Sequence, residues 1–472
     1  MLFVEFRFIV FFGVLWAIYW SLRNNTWRKM VLLGGSYLFY AAWDWRFLSL
    51  ILLSTVVDYL AALRIPGAAN EGRKRGWLVA SLITNLGVLG FFKYFNFFAA
   101  SLVDLFNSLG VALNHTTLEI VLPVGISFYT FQTLSYTIDV YRGKLQPRKN
   151  PLDVALFVAF FPQLVAGPIV RASHFLPQLD QSRRWSKVAV RSCLTLFLIG
   201  FIKKAGVSDN IAPFVDQVFA DPGLYSASAI WGGILLYGVQ IYCDFSGYSD
   251  MAIATAGLLG YRLPVNFNAP YLASSLTDFW RRWHMSLSTW LRDYLYIPLG
   301  GNRGGRLQAM RNVMITMLLG GLWHGAAWNF VIWGGLHGVA LVGHRAWISF
   351  RGEVGAGDGV GGFIRHSLGM VFTFWWVFLA WIFFRAQDLS TALEMLRVYL
   401  TFSAQGVENL GINPFGVLTL LGVAHWLASR WDLPALSERI PFRLYSVLLG
   451  AAFGVALSFV PLGYRPFIYF QF

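Results

Sequence analysis

Apolar residues form long runs that recur along most of the chain, separated by short polar and basic stretches. The runs lie near residues 8–22, 30–43, 47–63, 77–92, 97–112, 120–140, 152–170, 188–202, 226–243, 313–342, 366–384, 412–428 and 444–461. Several approach the ~20 residues that a helix needs to cross a bilayer, whereas others are shorter or interrupted by Gly and Pro. The pattern predicts an all-α polytopic membrane protein with about ten to twelve transmembrane helices.

The composition agrees with a membrane protein. Of 472 residues, 57% are hydrophobic and 13% are charged, whereas a soluble globular protein carries roughly 25% charged residues. A soluble chain of this length would expose too much apolar surface to water. The water-soluble, disordered and nucleic-acid-binding classes are therefore excluded. No separate soluble domain is visible, so residues 1–472 are predicted to form a single integral membrane domain.

The basic residues indicate the topology. Lys and Arg number 37 against 23 Asp and Glu, a net charge of +14, and they concentrate between apolar runs. Loops rich in Lys and Arg stay on the cytoplasmic side of a membrane. Basic loops at residues 23–29 and 64–75 are separated by two apolar runs, which places both in the cytoplasm and the N-terminus outside. A third basic loop at 142–149 follows three further runs, so one of these is expected to be re-entrant or interfacial.

One region differs from the rest. Residues 262–311 contain no apolar run long enough to cross a bilayer, and they are strongly basic. Their arginines are Arg262, Arg281, Arg282, Arg292, Arg303, Arg306 and Arg311, opposed by Asp278 and Asp293. Residues 276–292 place apolar residues at helical spacing beside basic ones, which predicts an interfacial amphipathic helix on the cytoplasmic side.

His324 is the most informative position for chemistry. No Asp, Glu, Lys or Arg occurs in residues 312–343. His324 lies about eleven residues into this apolar run, roughly 16 Å along a helix and near the middle of a ~30 Å hydrocarbon core. An ionisable group at that depth is costly and indicates function, and burial favours the neutral imidazole that a general base requires. The alternative is a structural histidine bonded to a neighbouring helix.

Small and aromatic residues surround His324 in the sequence. Trp328 follows one helical turn later and is expected to share its face. Gly320, Gly321 and Gly325 remove side-chain bulk. They predict either the close approach of a neighbouring helix or room for a substrate tunnel.

The other histidines carry weaker signals. His284 lies in the basic amphipathic segment and by itself is typical of an interfacial histidine. His337 and His344 share a helical face, and His337 points away from His324, so we interpret both as structural. No pattern of His, Cys, Asp or Glu predicts a metal site.

A second polar intrusion covers residues 240–250 and includes Asp244, Tyr248 and Asp250. For the aspartates, both an ion pair that ties helices together and a direct role in chemistry are compatible with this pattern.

Six segments resemble the membrane-bound O-acyltransferase (MBOAT) family and, within it, the bacterial alginate O-acetyltransferases. They are residues 122–131, 161–168, 244–250, 279–284 continuing to 298–302, 323–328 and 467–472. The ordered set is far more specific than any single segment.

The resemblance implies a ring of transmembrane helices around a thinned centre that a tunnel crosses. It implies that His324 is the catalytic histidine of the family and that His284 is the second active-site position. It also implies an acetyltransferase of the bacterial inner membrane. The expected donor is a cytoplasmic acyl thioester such as acetyl-CoA, with no bound cofactor. The expected acceptor is an extracellular polysaccharide such as alginate or cellulose, or a periplasmic acetyltransferase partner that completes the transfer.

Residues near the two histidines are predicted to contact donor or acceptor. In this hypothesis Trp323 and Trp328 exclude water from the thioester, and arginines hold the anionic head of the donor. Attraction to anionic membrane lipid explains the same charges equally well. The predicted contact residues are Trp323, Trp328, Asn329, Arg281, Arg282, Trp283, Arg292, Asp244 and Tyr248.

Three alternatives remain open. Within the family, D-alanyl transfer to teichoic acid and O-acyl transfer to peptidoglycan are neighbouring activities. A transporter or flippase also has polar residues and discontinuous helices at mid-membrane. A non-catalytic scaffold that recruits a periplasmic acetyltransferase is the third.

Overall fold

A computed structural model describes residues 1–114, 118–351, 360–461, 463 and 467–468. The regular structure of this part is helical, apart from an isolated β-bridge between Tyr225 and Glu408. The predicted all-α class is confirmed. The chain forms two compact units, one of Met1–Cys193 with Ala252–Pro264 and one of Leu194–Met251 with Val265–Phe472. The single-domain assignment stays a prediction.

The first unit is built around α6, which is buried along nearly its whole length. Its helices are α1 Phe6–Ser21, α2 Asn25–Asp44, α3 Leu48–Arg64, α4 Glu71–Leu89, α5 Phe95–Ser108, α6 Ile126–Tyr141, α7 Pro151–Ala159, α8 Phe161–Leu164 and α9 Ala172–Leu179. Between α3, α4 and α6 the buried Asp58 carboxylate accepts hydrogen bonds from Ser81, Asn85 and Thr137. Neutral donors thus satisfy a carboxylate that would otherwise be costly to bury.

The second unit has an aromatic core that includes Tyr237, Trp283, Trp333, Phe378 and Trp381. The remaining helices, two of which begin or end in the first unit, are α10 Val190–Phe201, α11 Asp209–Ala220, α12 Ala227–Leu258, α13 Leu276–Arg282, α14 Met285–Leu291, α15 Arg306–His324, α16 Trp328–Arg351, α17 Val360–Arg385, α18 Leu389–Thr401, α19 Pro414–Arg430, α20 Leu433–Ser437 and α21 Phe442–Ser458. A π-helical segment, Ile202–Ser208, links α10 to α11.

Helices α15 and α16 form a tightly packed hairpin. A Cβ on Gly321 would lie 3.1 Å from the Cα of Gly334, so the two backbones meet where neither residue has a side chain. Of the two roles predicted for the glycines near His324, Gly321 shows the close approach of a neighbouring helix.

Two predicted helix boundaries are wrong. The apolar run 313–342 is not one helix, because the backbone turns extended at Gly325 and separates α15 from α16. The amphipathic helix predicted over residues 276–292 is also divided, into α13 and α14, because His284 takes a left-handed φ of 42° between them. Apolar periodicity alone does not reveal such breaks, since it continues on either side of them.

Three helical segments of the described chain are long and apolar enough to cross a membrane, namely Asn25–Arg64, Glu71–Ser108 and Val360–Arg385. Two further apolar helices, α1 and α21, are shorter. Large side chains such as Phe363 and Phe442 lie exposed on these helices, and lipid covers such a surface better than water. The predicted span count, helix ring and tunnel stay predictions.

Candidate active site

His324 is the last residue of α15 and lies at the tip of the α15–α16 hairpin, with 4% of its surface exposed. The expectation of one continuous helix through His324 is wrong, because α15 ends at this residue, while its depth near the middle of the hydrocarbon core stays a prediction. The predicted position of Trp328 on the same helical face is wrong for the same reason. Trp328 is the first residue of α16 and is 57% exposed.

Aromatic rings enclose the imidazole of His324. The ring centroid lies 5.0 Å from that of Trp323, 5.0 Å from that of Trp333 and 5.2 Å from that of Phe384, all in edge-to-face geometry. Such walls exclude bulk water, which protects a reactive ester and strengthens electrostatic interactions within the site. Trp323 is one of the rings predicted for this role, whereas Trp333 and Phe384, which no local pattern indicates, come from α16 and α17.

His284 lies beside His324, with 6.5 Å between the two ring centroids. It is fully buried, and its ring packs edge-to-face with that of Phe245, with 4.6 Å between the ring centroids. Burial lowers the pKa of His284, which lies outside the long apolar runs, so its imidazole is neutral at physiological pH. The structure thus brings both predicted histidines together. Because both rings are almost wholly buried, a substrate reaches them only when surrounding side chains move.

The backbone at His284 is strained. Its φ of 42° is in the left-handed region, which costs a residue with a Cβ roughly 1–2 kcal/mol. Strain of this kind persists where surrounding contacts enforce it and occurs often at functional sites. The left-handed residue ends α13 and starts α14, and it is what turns the imidazole toward α15.

Asn266 holds this turn in place. Its side-chain oxygen lies 3.2 Å from the Nδ1 atom of His284 and accepts hydrogen bonds from the Ser286 amide and hydroxyl. No local pattern indicates Asn266, because an asparagine in an extended segment carries no signal of its own and its partners are distant in sequence.

Asp244, predicted to contact donor or acceptor, anchors helices and the C-terminal segment. Its carboxylate lies 2.5 Å from the Nζ of Lys204 and accepts a hydrogen bond from the Ile468 amide at 2.7 Å. The neighbouring residue, Phe467, packs on Tyr248 with 4.9 Å between ring centroids. Of the two interpretations left open for Asp244, the structure favours the ion pair. Residues 469–472 of the resembling C-terminal segment lie outside the described chain.

Two of the predicted donor-binding arginines are engaged by carboxylates. Arg282 pairs with Asp278 at 2.9 Å and Arg292 pairs with Asp293 at 2.7 Å. Both pairs are local and partly exposed, so they contribute little to stability. Their positive charges are largely neutralised for a further ligand.

Trp283 and Asn329, both predicted to contact donor or acceptor, are buried and contact other residues of the protein. The Trp283 ring stacks on Phe279 at 5.6 Å and lies 5.1 Å from Trp381. The Asn329 amide donates to the carbonyl of Ala386 at 3.0 Å and ties α16 to the end of α17.

Arg281, by contrast, lines a surface cleft of about 660 Å³ in the second unit, together with Arg306 and Arg345. Asp278, which also lines the cleft, is already paired with Arg282. Among the described residues, no carboxylate forms an ion pair with Arg281 or Arg306. The cleft therefore has an excess of positive charge. It is named the arginine cleft below.

No three His, Cys, Asp or Glu side chains converge as a metal site would require in the part of the chain that the structure covers. At the histidine pair, the Nδ1 atom of His284 is taken by Asn266.

Comparison of the sequence with known proteins identifies the family of the chain. A family model for membrane-bound O-acyltransferases matches residues 145–357, which contain both histidines and the arginine cleft. A probable alginate O-acetylase AlgI from Azotobacter vinelandii is 43% identical over 89% of this chain and 83% of its own length. The chain belongs to the membrane-bound O-acyltransferase family. It is accordingly a polytopic all-α membrane protein and an O-acyltransferase.

Two other relatives show the range of acceptors in this family. A peptidoglycan O-acetyltransferase from Helicobacter pylori is 40% identical over 79% of this chain and 74% of its own length. A teichoic acid D-alanyltransferase from Streptococcus thermophilus is 30% identical over 48% of this chain and 57% of its own length. The similarity extends over more of the chain for the named O-acetyltransferases, so the activity is O-acetyl transfer.

Proposed function

We propose that the protein moves an acetyl group from a cytoplasmic thioester, acetyl-CoA, to a polysaccharide outside the bacterial inner membrane, with His324 as the general base. A periplasmic acetyltransferase partner receives the group or completes the transfer. The observation that carries the proposal is the meeting of His324 and His284 in one buried cluster of aromatic rings, with 6.5 Å between the centroids of the two imidazoles.

The chemistry proposed for His324 requires that its imidazole be neutral before the reaction. His324 takes the proton of the acceptor hydroxyl while the oxygen of that hydroxyl attacks the thioester carbonyl carbon. The tetrahedral intermediate collapses, the carbon–sulfur bond breaks, and the protonated His324 returns its proton to the leaving thiolate. An ester and a free thiol result, and the enzyme returns to its starting state. The rings of Trp323, Trp333 and Phe384 limit hydrolysis of the thioester by water.

The arginine cleft supports an anionic donor. It lies at the start of α15, where Arg306 and Ala309 line it, whereas His324 ends that helix. From Ala309 to His324 the helix rises about 22 Å. A donor whose phosphates bind at the cleft therefore needs a long flexible arm to present its carbonyl at His324. A thioester on the pantetheine arm of coenzyme A has this form.

The test is acetyl transfer by purified protein in proteoliposomes that contain radiolabelled acetyl-CoA. His324→Gln should lower the rate by about 10²–10⁴-fold, the usual contribution of a general base. His425→Gln is a matched control, because His425 is similarly buried but its ring contacts Tyr242 and Tyr271. Normal transfer in a folded His324→Gln variant would exclude the mechanism.

The same assay separates the rival functions. A transporter moves its cargo without cleaving a thioester, and a scaffold tolerates His324→Gln as long as its complex assembles. Chemical analysis of cell-wall and secreted polymers in a deletion strain identifies the acceptor. Loss of acetyl groups from peptidoglycan, the substrate in the name of the Helicobacter pylori relative, would replace the secreted polysaccharide in the proposal.

A further inference from the structure

Asn266 lies in an extended segment between α12 and α13 and is almost completely buried. Its backbone carbonyl accepts a hydrogen bond from the Met285 amide at 2.9 Å, and its side-chain oxygen accepts from the amide and hydroxyl of Ser286 at 3.2 Å and 2.8 Å. One residue thereby fixes both positions that follow His284. The strained turn at His284 is held by these bonds.

The hydrogen bonds settle which way the Asn266 amide points. A backbone N–H only donates, so the side-chain atom that faces the Ser286 amide must be the oxygen. The amide nitrogen then points to the hydroxyl of Ser249, 3.3 Å away, where an acceptor is present. The usual ambiguity between oxygen and nitrogen in an asparagine is therefore removed here.

The same oxygen lies 3.2 Å from the Nδ1 atom of His284. An amide oxygen has no proton to give, so Nδ1 must carry the proton of the bond. A neutral imidazole holds a single ring proton, and its Nε2 atom is then an acceptor. In the other tautomer two lone pairs would face each other in a buried site. The loss of one buried hydrogen bond favours the first tautomer by roughly tenfold or more.

We propose that Asn266 is a positioning residue that holds His284 in the Nδ1–H tautomer, so that the Nε2 atom of His284 accepts a hydrogen bond from a hydroxyl group of the acceptor. In this tautomer the one ring proton of His284 is donated to Asn266, so no proton is available on Nε2 to polarise the thioester carbonyl. His284 therefore belongs to the acceptor side of the reaction, and His324 removes the proton from the attacking hydroxyl. This assignment rests on the proposed acyl transfer, but the tautomer itself does not.

The tautomer is measured without any activity. The full chain is labelled with ¹⁵N-histidine, placed in lipid bilayers and studied by solid-state NMR, where protonated and unprotonated ring nitrogens differ widely in shift. The sequence contains eight histidines, so the signals of His284 are assigned by difference from His284→Gln. We expect protonated Nδ1 and unprotonated Nε2 in the wild type, and a mixture of tautomers in Asn266→Leu.

Ser249→Ala is the matched control for this experiment. It removes the hydrogen bond to the nitrogen of the same amide and leaves the oxygen, so the His284 signals should not change. A wild-type His284 protonated at Nε2 would overturn the proposal, as would an unaltered tautomer in Asn266→Leu. If the leucine variant does not fold, Asn266→Asp retains an acceptor oxygen and should keep the Nδ1 proton in place.

Kinetics test whether Asn266 acts through His284. Asn266→Leu should lower kcat by about 10- to 100-fold, the effect of one buried hydrogen bond, and leave the KM for acetyl-CoA unchanged. In a His284→Ala background the same substitution should have no further effect on kcat. Independent, additive losses would show a merely structural role and overturn the proposal. Absence of acetyl transfer in the wild type would instead refute the proposed function while the NMR result stands.

The pH profile provides a second kinetic readout. In Asn266→Asp, a carboxylate beside Nδ1 stabilises the imidazolium and raises the pKa of His284. Activity should then fall at a higher pH on the acid side than in the wild type. His324 is the titratable side chain that the structure shows beside this ring, and it is identical in both proteins. An unshifted acid limb would contradict contact between Asn266 and His284.

Discussion

A substitution of Lys204 tests most directly whether Asp244 anchors the fold. The Nζ of Lys204 lies 2.5 Å from Asp244 and 2.7 Å from Asp209, and its side chain is only 4% exposed. Lys204→Met removes the cation but leaves the Asp244 carboxylate buried. Breaking a buried ion pair in this way costs about 3–5 kcal/mol. In a chain of 472 residues, with an unfolding entropy of about 2 cal/mol/K per residue, the loss corresponds to a fall in Tm of about 3–5 °C.

Lys203 supplies a matched control from the adjacent position. It pairs with Asp250 at 2.7 Å, but the two side chains are 25% and 19% exposed, so this pair is less deeply buried than Lys204 and Asp244. Lys203→Met should therefore lower the Tm less than Lys204→Met. The assay is thermal unfolding of the detergent-solubilised protein, followed by the fluorescence of its 20 tryptophans.

Lys204→Met should also reduce acetyl transfer. Asp244 holds the Ile468 amide, the neighbouring Phe467 packs against Phe245, and Phe245 contacts the ring of His284. We expect Lys204→Met to lose activity at temperatures where Lys203→Met retains it. Equal Tm values for the two variants, or full activity of Lys204→Met, would refute the view that Asp244 is an anchor.

Three further outcomes are expected. Deletion of residues 467–472 should leave membrane insertion intact but lower acetyl transfer at least tenfold, measured against wild-type protein at equal abundance, because Phe467 packs on Phe245 and Phe245 contacts the ring of His284, and a misplacement of about 1 Å in a site can cost about 10²-fold. Arg306→Ala should raise the KM for acetyl-CoA about fivefold, the effect of one exposed charge contact, and leave that for S-acetylpantetheine unchanged; Arg303→Ala, outside the cleft, should change neither. Gly334→Ala should lower Tm by several degrees, because its Cβ would meet the backbone of α15, while Gly343→Ala, which faces open space, should not.

The features that could be predicted from the sequence are those that depend on composition and on short stretches of neighbouring residues. Apolar runs and a low charge content predict helices in lipid, because each residue reports its own preference for the bilayer. His324 stood out because an ionisable residue in such a run is costly, and the motif around His284 placed it in a known family. The structure shows the two histidines side by side.

Contacts between distant residues could not be predicted in this way. Asn266 and His284 lie in different segments, and only the strained turn brings them within hydrogen-bonding distance. Asp244 was equally compatible with catalysis and with an ion pair until its partners, Lys204 and Ile468, were known. Nothing in the order of the residues indicates which side chains a fold will place together.

The helix breaks show the same division. The helical class, the membrane location and a histidine where a polar group is costly are all predictable from the order of the residues, because they follow from the energies of single residues and short periods. The end of α15 at His324, the exposed position of Trp328 and the cleft shared by Arg281 and Arg306 become known only from the folded chain. Those features depend on how helices pack, and packing is set by many weak contacts at once, which no local pattern contains.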